Sequence, residues 1–202
     1  RAVAAGADEV AAEEAHYLNT APDTITTSCC PAFVDYIMKN HDDFRSKISP
    51  APSPMIALAR KLKSGNQKIA FIGPCIAKKK EALKSGIVDY VLTFEELGAF
   101  FIAKGIEPAS QDDTEVDGSP RGWGFAASGG VAAAVKSLCQ RELRTLKMDG
   151  LPEGKEVFQT ARQEKYDLIE GMACAGGCIA GPCIMVNPKI AVAALKKAGA
   201  PS

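Results

Sequence analysis

The chain has 202 residues, 47% of them hydrophobic, and its 24 basic and 24 acidic side chains cancel. That is enough apolar residue to pack one large domain or two small lobes. Balanced charge argues against a nucleic-acid or membrane-surface partner, and no apolar run of about 18 residues predicts a membrane span. The N-terminus carries no basic-then-apolar signal pattern, which reads as a soluble protein. It opens at Arg1 rather than Met and enters a helical pattern at once, as a piece of a longer chain would.

In chain order, residues 7–18 are strong helix formers with apolar positions at Val10, Ala11, Ala15 and Leu18, predicting a helix that ends near Asn19, before Pro22. Thr24 to Thr27 is β-prone and runs into Cys29-Cys30-Pro31, and Pro31 suits the first turn of a helix over 32–40. Residues 49–54 form a proline-rich loop, and 55–63 return to helix. Lys68 to Ile72 reads as a buried strand ending at Gly73-Pro74-Cys75, followed by a basic helix over 76–83, a strand over 88–93 and a helix over 94–104.

A polar stretch from Gly105 reads as a surface loop, 105–121, between lobe one (1–104) and lobe two (122–202). Residues 125–130 predict a strand and glycine turn leading into a helix over 131–143. Residues 156–160 and 166–169 read as weaker strands, and Pro188 to Ala198 closes the chain as a helix. Alternating strands and helices of these lengths predict an α/β fold, two lobes of mostly parallel sheet flanked by helices, with the functional site between them.

The segment Cys174-Ala-Gly-Gly-Cys178 is the centre of the reading. Its glycines are poor in a helix and offer bare backbone, which suits close approach of a bulky inorganic group to two sulfur ligands. Cys29, Cys30, Cys75, Cys174 and Cys178 all fall beyond predicted strand ends and so converge on one side of the sheet. Seven cysteines in this pattern read as a reduced, cytoplasmic, metal-binding set rather than a disulfide framework. Four thiolates suit either a 4Fe-4S cluster or zinc, and ligands drawn from three distant segments favour the cluster. Adjacent residues of an extended chain point oppositely, so one of Cys29 and Cys30 is free for another task. Cys139 and Cys183 read as core residues, Lys78-Lys79-Lys80 as a solvated face, and Ser49 as a loop serine when each is taken alone.

Together, Thr27-Ser28-Cys29-Cys30-Pro31, Pro74-Cys75-Ile76-Ala77-Lys78-Lys79 and Glu170-Gly171-Met172-Ala173-Cys174-Ala175-Gly176-Gly177-Cys178 resemble the signature loops of the active-site domain of FeFe hydrogenases, in the family's order. The turn from Phe125 to Val131 is similar to that domain as well. The resemblance implies an H-cluster: a 4Fe-4S cluster joined to a diiron subcluster that carries CO, cyanide and a bridging azadithiolate. Carried over by position, Cys30, Cys75, Cys174 and Cys178 would hold the cubane, and Cys178 would bridge to the diiron unit. Cys29 would be the proton-passing thiol, and Lys78 would hold a cyanide. Met172, Pro74 and Phe125 would line the pocket, and Ser49 and Glu9 would belong to a proton path. The implied reaction interconverts protons and electrons with dihydrogen. Its implied partners are ferredoxin or an accessory iron-sulfur domain for electrons, and maturation proteins for cofactor insertion.

This sequence departs from the family pattern at Ala32-Phe33, where Gly-Trp is frequent, and at Gly73, where catalytic members often carry Met. A second path glutamate is expected near Ala12, where Glu13 is the candidate substitute, and the third loop ends Ala-Gly-Pro-Cys in place of a longer glycine run. Such departures resemble a divergent subgroup, some of whose relatives sense hydrogen. Two further alternatives are a cluster-assembly or electron-transfer protein holding only cubanes, and a zinc-binding structural domain. The retained Cys29 and Lys78 speak against the first of these, since neither is needed without a diiron unit.

Overall fold

The computed structural model describes residues 1–20, 23–112 and 117–198; Pro22 and part of the polar linker lie outside the described residues. Helix α1 (Ala4–Thr20) buries Ala7, Val10, Ala11, Ala15 and Leu18 along one stripe, and Glu14 falls within that stripe. Strand β1 (Ile25–Thr26) leads through the Cys29-Cys30 loop into α2 (Pro31–Asn40), and Ser53 caps α3 (Pro54–Leu62). Gly6 lets α3 lie against α1, since a Cβ there would fall 2.2 Å from the Pro54 carbonyl oxygen. Next come β2 (Ala70–Ile72), α4 (Ala77–Ser85), β3 (Tyr90–Leu92) and α5 (Phe94–Lys104). The last third holds α6 (Pro120–Gly124), α7 (Gly130–Lys136), β4 (Thr145–Asp149), α8 (Gly154–Gln163), β5 (Leu168–Met172) and α9 (Pro188–Ala198).

Among the described residues all strand pairing is parallel, in one sheet of order β1-β5-β4 and a second made of β2 and β3. Mixed α/β architecture is as expected, but the sheets do not follow the expected division of the chain. Strand β1, placed in lobe one, pairs with β5 of lobe two through Thr26 and Ile169. The linker is not free either: the Ala2 and Ser119 amides donate to Asp117 and Asp8, and Gly118 and Gly122 lie hard against the Ala4 backbone.

Four local expectations are corrected. Residues 156–160 are helical within α8, because Val157, Phe158 and Ala161 pack on one face of a 3.6-residue period and outweigh the β-propensity of the first two. Strand β4 occupies a stretch the sequence left unassigned, and α7 stops at Lys136 instead of running to Leu143. Residues 125–130 form a turn, with only an isolated antiparallel bridge from Ala127 to Gly177. Strand β2 was expected to be buried, yet Ala70 and Ile72 are exposed, because its sheet has one strand on one side and no cover on one face.

Candidate active site

Parallel strands deliver their carboxyl ends to the same side of a sheet. Here β1 and β5 are neighbours, so the Cys29-Cys30 loop and the Cys174 to Cys178 loop emerge side by side, and β2 brings Cys75 from the second sheet. Glycine shapes the middle loop. Gly176 and Gly177 have φ of +85° and +89°, and a Cβ on Gly177 would fall 2.6 Å from the Ser128 amide nitrogen. The Ser128 and Ile179 amides donate to the carbonyls of Gly176 and Ala126, which ties the 125–130 turn to this loop.

Glu170, fully buried on β5, fixes that turn from beneath: its carboxylate oxygens accept from the Gly129 and Ala132 amides, both at 2.7 Å. Burial raises its pKa, and the two backbone donors work against that rise. Phe33 packs on bare Gly171, where a Cβ would lie 2.2 Å from its ring. The Ala32-Phe33 departure is thereby absorbed into the core.

The expected ligands come together. Burial pushes the Cys178 thiol up to about 12, and nearby Cys30, Cys75 and Cys174 add to the rise while Lys78 opposes it. Cys174 is pushed up by burial and then by Cys30 and Cys75. Cys30, Cys75 and Cys174 thus all lie within electrostatic reach of Cys178. Among the described residues no three Cys, His, Asp or Glu side chains gather closely enough to hold a single metal ion. A polynuclear cluster takes its ligands on separate irons and needs no such gathering around one point.

Beside Cys178 lies a cavity of about 370 Å³ whose lining includes Cys29, Lys78, Met172, Pro74 and Phe125. Cys174 does not line it and flanks the exposed Ala175 and Gly176 on the outer side. Burial, and next the charge of Glu14, hold the Cys29 thiol well above its ordinary pKa. Lys78 Nζ is buried and donates to the Cys29 carbonyl at 3.1 Å and to Glu81 Oε2 at 2.7 Å. The solvated face expected of the lysine run therefore holds for Lys79 and Lys80, which pair with Glu96 and Asp35, but not for Lys78.

Two other expectations part ways. Ser49 is buried, receives the Ala51 amide at 3.2 Å on its Oγ, and faces Glu14. Glu9 instead points outward and forms an ion pair with Lys61, so it does not reach the cavity. The buried carboxyl on α1 is Glu14, raised to about 7 by burial, with Ser49 and the Ser28 backbone lowering it. Neither meets hydrogen-bond geometry, and both Glu14 oxygens lack a partner. The signal was in the sequence: a glutamate in register with Val10, Ala11 and Leu18.

Residues 2–182 match the family described as iron only hydrogenase large subunit, C-terminal domain. The chain belongs to this family. Iron hydrogenase 1 of Clostridium pasteurianum is 28% identical over 91% of this chain and 43% of its own length. The periplasmic iron hydrogenase large subunit of Nitratidesulfovibrio vulgaris is 26% identical over 81% and 52%. The chain thus spans about half the length of these relatives. A shorter match, 36% identical over 35% of this chain and 14% of the relative, is to the cytosolic Fe-S cluster assembly factor NAR1 of Vanderwaltozyma polyspora. The fold is that of FeFe-hydrogenase HydA1 from Chlamydomonas reinhardtii, with a TM-score of 0.72, 22% identity, and coverage of 96% of this chain and 72% of that one.

Family membership implies an iron-sulfur cofactor, and the donor chemistry fits one: the Cys30, Cys75 and Cys174 thiols all act on the buried Cys178 thiol. At Gly73, where catalytic members often carry Met, the Phe71 ring takes the space. A Cβ on Gly73 would meet that ring at 2.7 Å, and Phe71 itself lines the cavity.

Proposed function

We propose that this chain is the H-cluster domain of an FeFe hydrogenase, interconverting two protons and two electrons with dihydrogen. The observation that carries the reading is the placement of Cys29 and Lys78 on one cavity wall with Cys178, beside the other three thiols. The proton-carrying thiol and anion-donating ammonium that these two offer are not called for in an iron-sulfur protein without a diiron unit.

Cys30, Cys75, Cys174 and Cys178 would hold the 4Fe-4S cluster, with Cys178 shared with the diiron subcluster. When bound, the group with its CO, cyanide and azadithiolate ligands supplies the electron store and the metal that dihydrogen chemistry needs. Lys78 would hold a cyanide of that group, for which its ammonium is a suitable compact cation and donor. Met172, Phe125 and Pro74 exclude water from the reacting side. Cys29 Sγ takes or gives the proton, and Glu14 with Ser49 continues the path in place of Glu9. A carboxyl with a pKa of about 7 is poised to do both near neutral pH.

Electrons would come from ferredoxin or an accessory iron-sulfur domain on the Cys174 side, where Ala175 and Gly176 are exposed. Maturation proteins would install the diiron unit. The cytoplasm is the compartment proposed, from the reading of the cysteine pattern as a reduced, metal-binding set.

A hydrogen sensor with the same cofactor and slow turnover is the second reading, favoured by the Phe71 ring over Gly73. Hydrogen evolution from reduced ferredoxin, measured after loading a synthetic diiron precursor, separates the two. Sustained turnover that Cys29→Ala abolishes supports the enzyme. A retained precursor with turnover no faster than in Cys29→Ala supports the sensor.

A further inference from the structure

Three lysines in a row open α4, and each has its own carboxylate: Lys79 pairs with Glu96, Lys80 with Asp35 and Lys78 with Glu81. Only the last pair is withdrawn from solvent, with side-chain exposures of 10% for Lys78 and 19% for Glu81. Residues three apart share a helix face, so Glu81 lies directly behind the ammonium it binds. The pair also bridges two spaces. Lys78 lines the cavity beside Cys178, while Glu81 lines a separate, mostly apolar groove of about 320 Å³ that also carries Arg60, Lys80 and Lys84.

An ammonium has three N–H donors and no acceptor. Two are spoken for here, by the Cys29 carbonyl and by Glu81 Oε2. We infer that Glu81 is a positioning residue: with the Cys29 carbonyl it fixes the Lys78 ammonium so that its third N–H is held toward an anionic ligand in the cavity. This rests on the reading above, in which that ligand is an iron-bound cyanide. A four-carbon stem left without this anchor swings toward water, where a lysine head is best solvated. The same anchor couples α4 to the loop that carries Cys29, so the cation that orients the ligand and the thiol that handles the proton are set by one hydrogen-bond group.

The test uses the chain carrying its 4Fe-4S cluster, with Glu81→Ala and Glu81→Gln. Lysines are acetylated with acetic anhydride, and the rate at Lys78 is read by mass spectrometry against exposed Lys80 in the same molecules. Loss of a hydrogen bond to a charged group predicts a Lys78 rate about tenfold higher in Glu81→Ala, with Glu81→Gln, which keeps an acceptor at the site, close to the parent. After loading the synthetic diiron precursor, the cyanide infrared bands of Glu81→Ala shift and broaden, while those of Glu81→Gln stay narrow. A purely structural role would move neither ratio nor bands at matched cluster content and melting temperature. Unchanged Lys78 labelling in Glu81→Ala overturns the inference. Should that variant not fold, Glu81→Gln with Lys78 labelling as fast as Lys80 overturns it equally, since a retained acceptor then fails to hold the cation. If the parent protein itself releases the precursor, the hydrogenase reading fails, and the labelling still decides whether Glu81 anchors Lys78.

Discussion

The two sheets of this molecule are built to different standards. In the β1-β5-β4 sheet the central strand is buried at every residue, sandwiched by the core of α1 and α7 on one face and the Phe33, Phe44 and Phe158 cluster on the other. In the β2-β3 sheet Ile72 and Tyr90 stand exposed at 41% and 58%, and the helix that follows, α5, buries none of its residues. Parallel strands ordinarily need cover on both faces. Cys30, Cys174 and Cys178 extend from the covered sheet, whereas Cys75 and Lys78 extend from the open one. The lesson is that Cys29 and Cys178 are held by a well-covered sheet, whereas the Lys78 ammonium facing them is steadied by hydrogen bonds instead of by core.

The sharpest way to break this comparison is chemical. Cys29→Ala, on the covered side, leaves the four cluster thiols in place and is expected to cut hydrogen turnover by about 10²- to 10⁴-fold, the usual worth of a positioned proton-transfer group. Comparable iron content with undiminished turnover would contradict it. Next is packing. Ile169→Ala empties a fully buried site on β5 and is expected to cost about 2–5 kcal/mol in denaturant unfolding. The matched change Ile72→Ala on the open sheet should cost under about 1 kcal/mol. Equal losses would erase the distinction.

Glu14 gives a pH signature of similar size. Its folded pKa lies above its ordinary value, 4.5 raised to about 7, so its neutral form is favoured by folding. Stability from this group is complete below 4.5 and is lost as pH climbs to about 7, a decline of about 3 kcal/mol that Glu14→Gln should lack. Parallel stability curves for parent and variant between those pH values would refute the burial argument. The smallest effect is in hydrogen exchange, where β5 amides should outlast those of β2 and β3 under native conditions.

Much of this was legible in the sequence because the signals were local. Pro31 and Pro188 mark helix starts, and α5 runs from Phe94 to Lys104 as expected. The cysteine loops could be placed at strand ends without knowing which strands pair. What stayed hidden depends on tertiary partners. Val157 and Phe158 carry strand propensity, but their aromatic neighbours Phe33, Tyr36 and His41 reward a helix. The partition of β1 into the same sheet as β5 cannot be read from either strand alone. Glu9 and Glu14 look alike in composition, and only the apolar stripe of α1 tells which one is inside.

The measurement that bears most directly on the central claim is anaerobic infrared spectroscopy of the protein after its 4Fe-4S cluster is rebuilt, a synthetic diiron precursor is added and the excess is washed away. A pocket formed by Cys178, Cys29, Lys78 and Met172 predicts narrow carbon monoxide and cyanide bands that survive washing and differ from those of the free precursor. Loss of those bands while the 4Fe-4S absorbance persists would contradict the account and leave an electron-transfer or cluster-assembly role in its place.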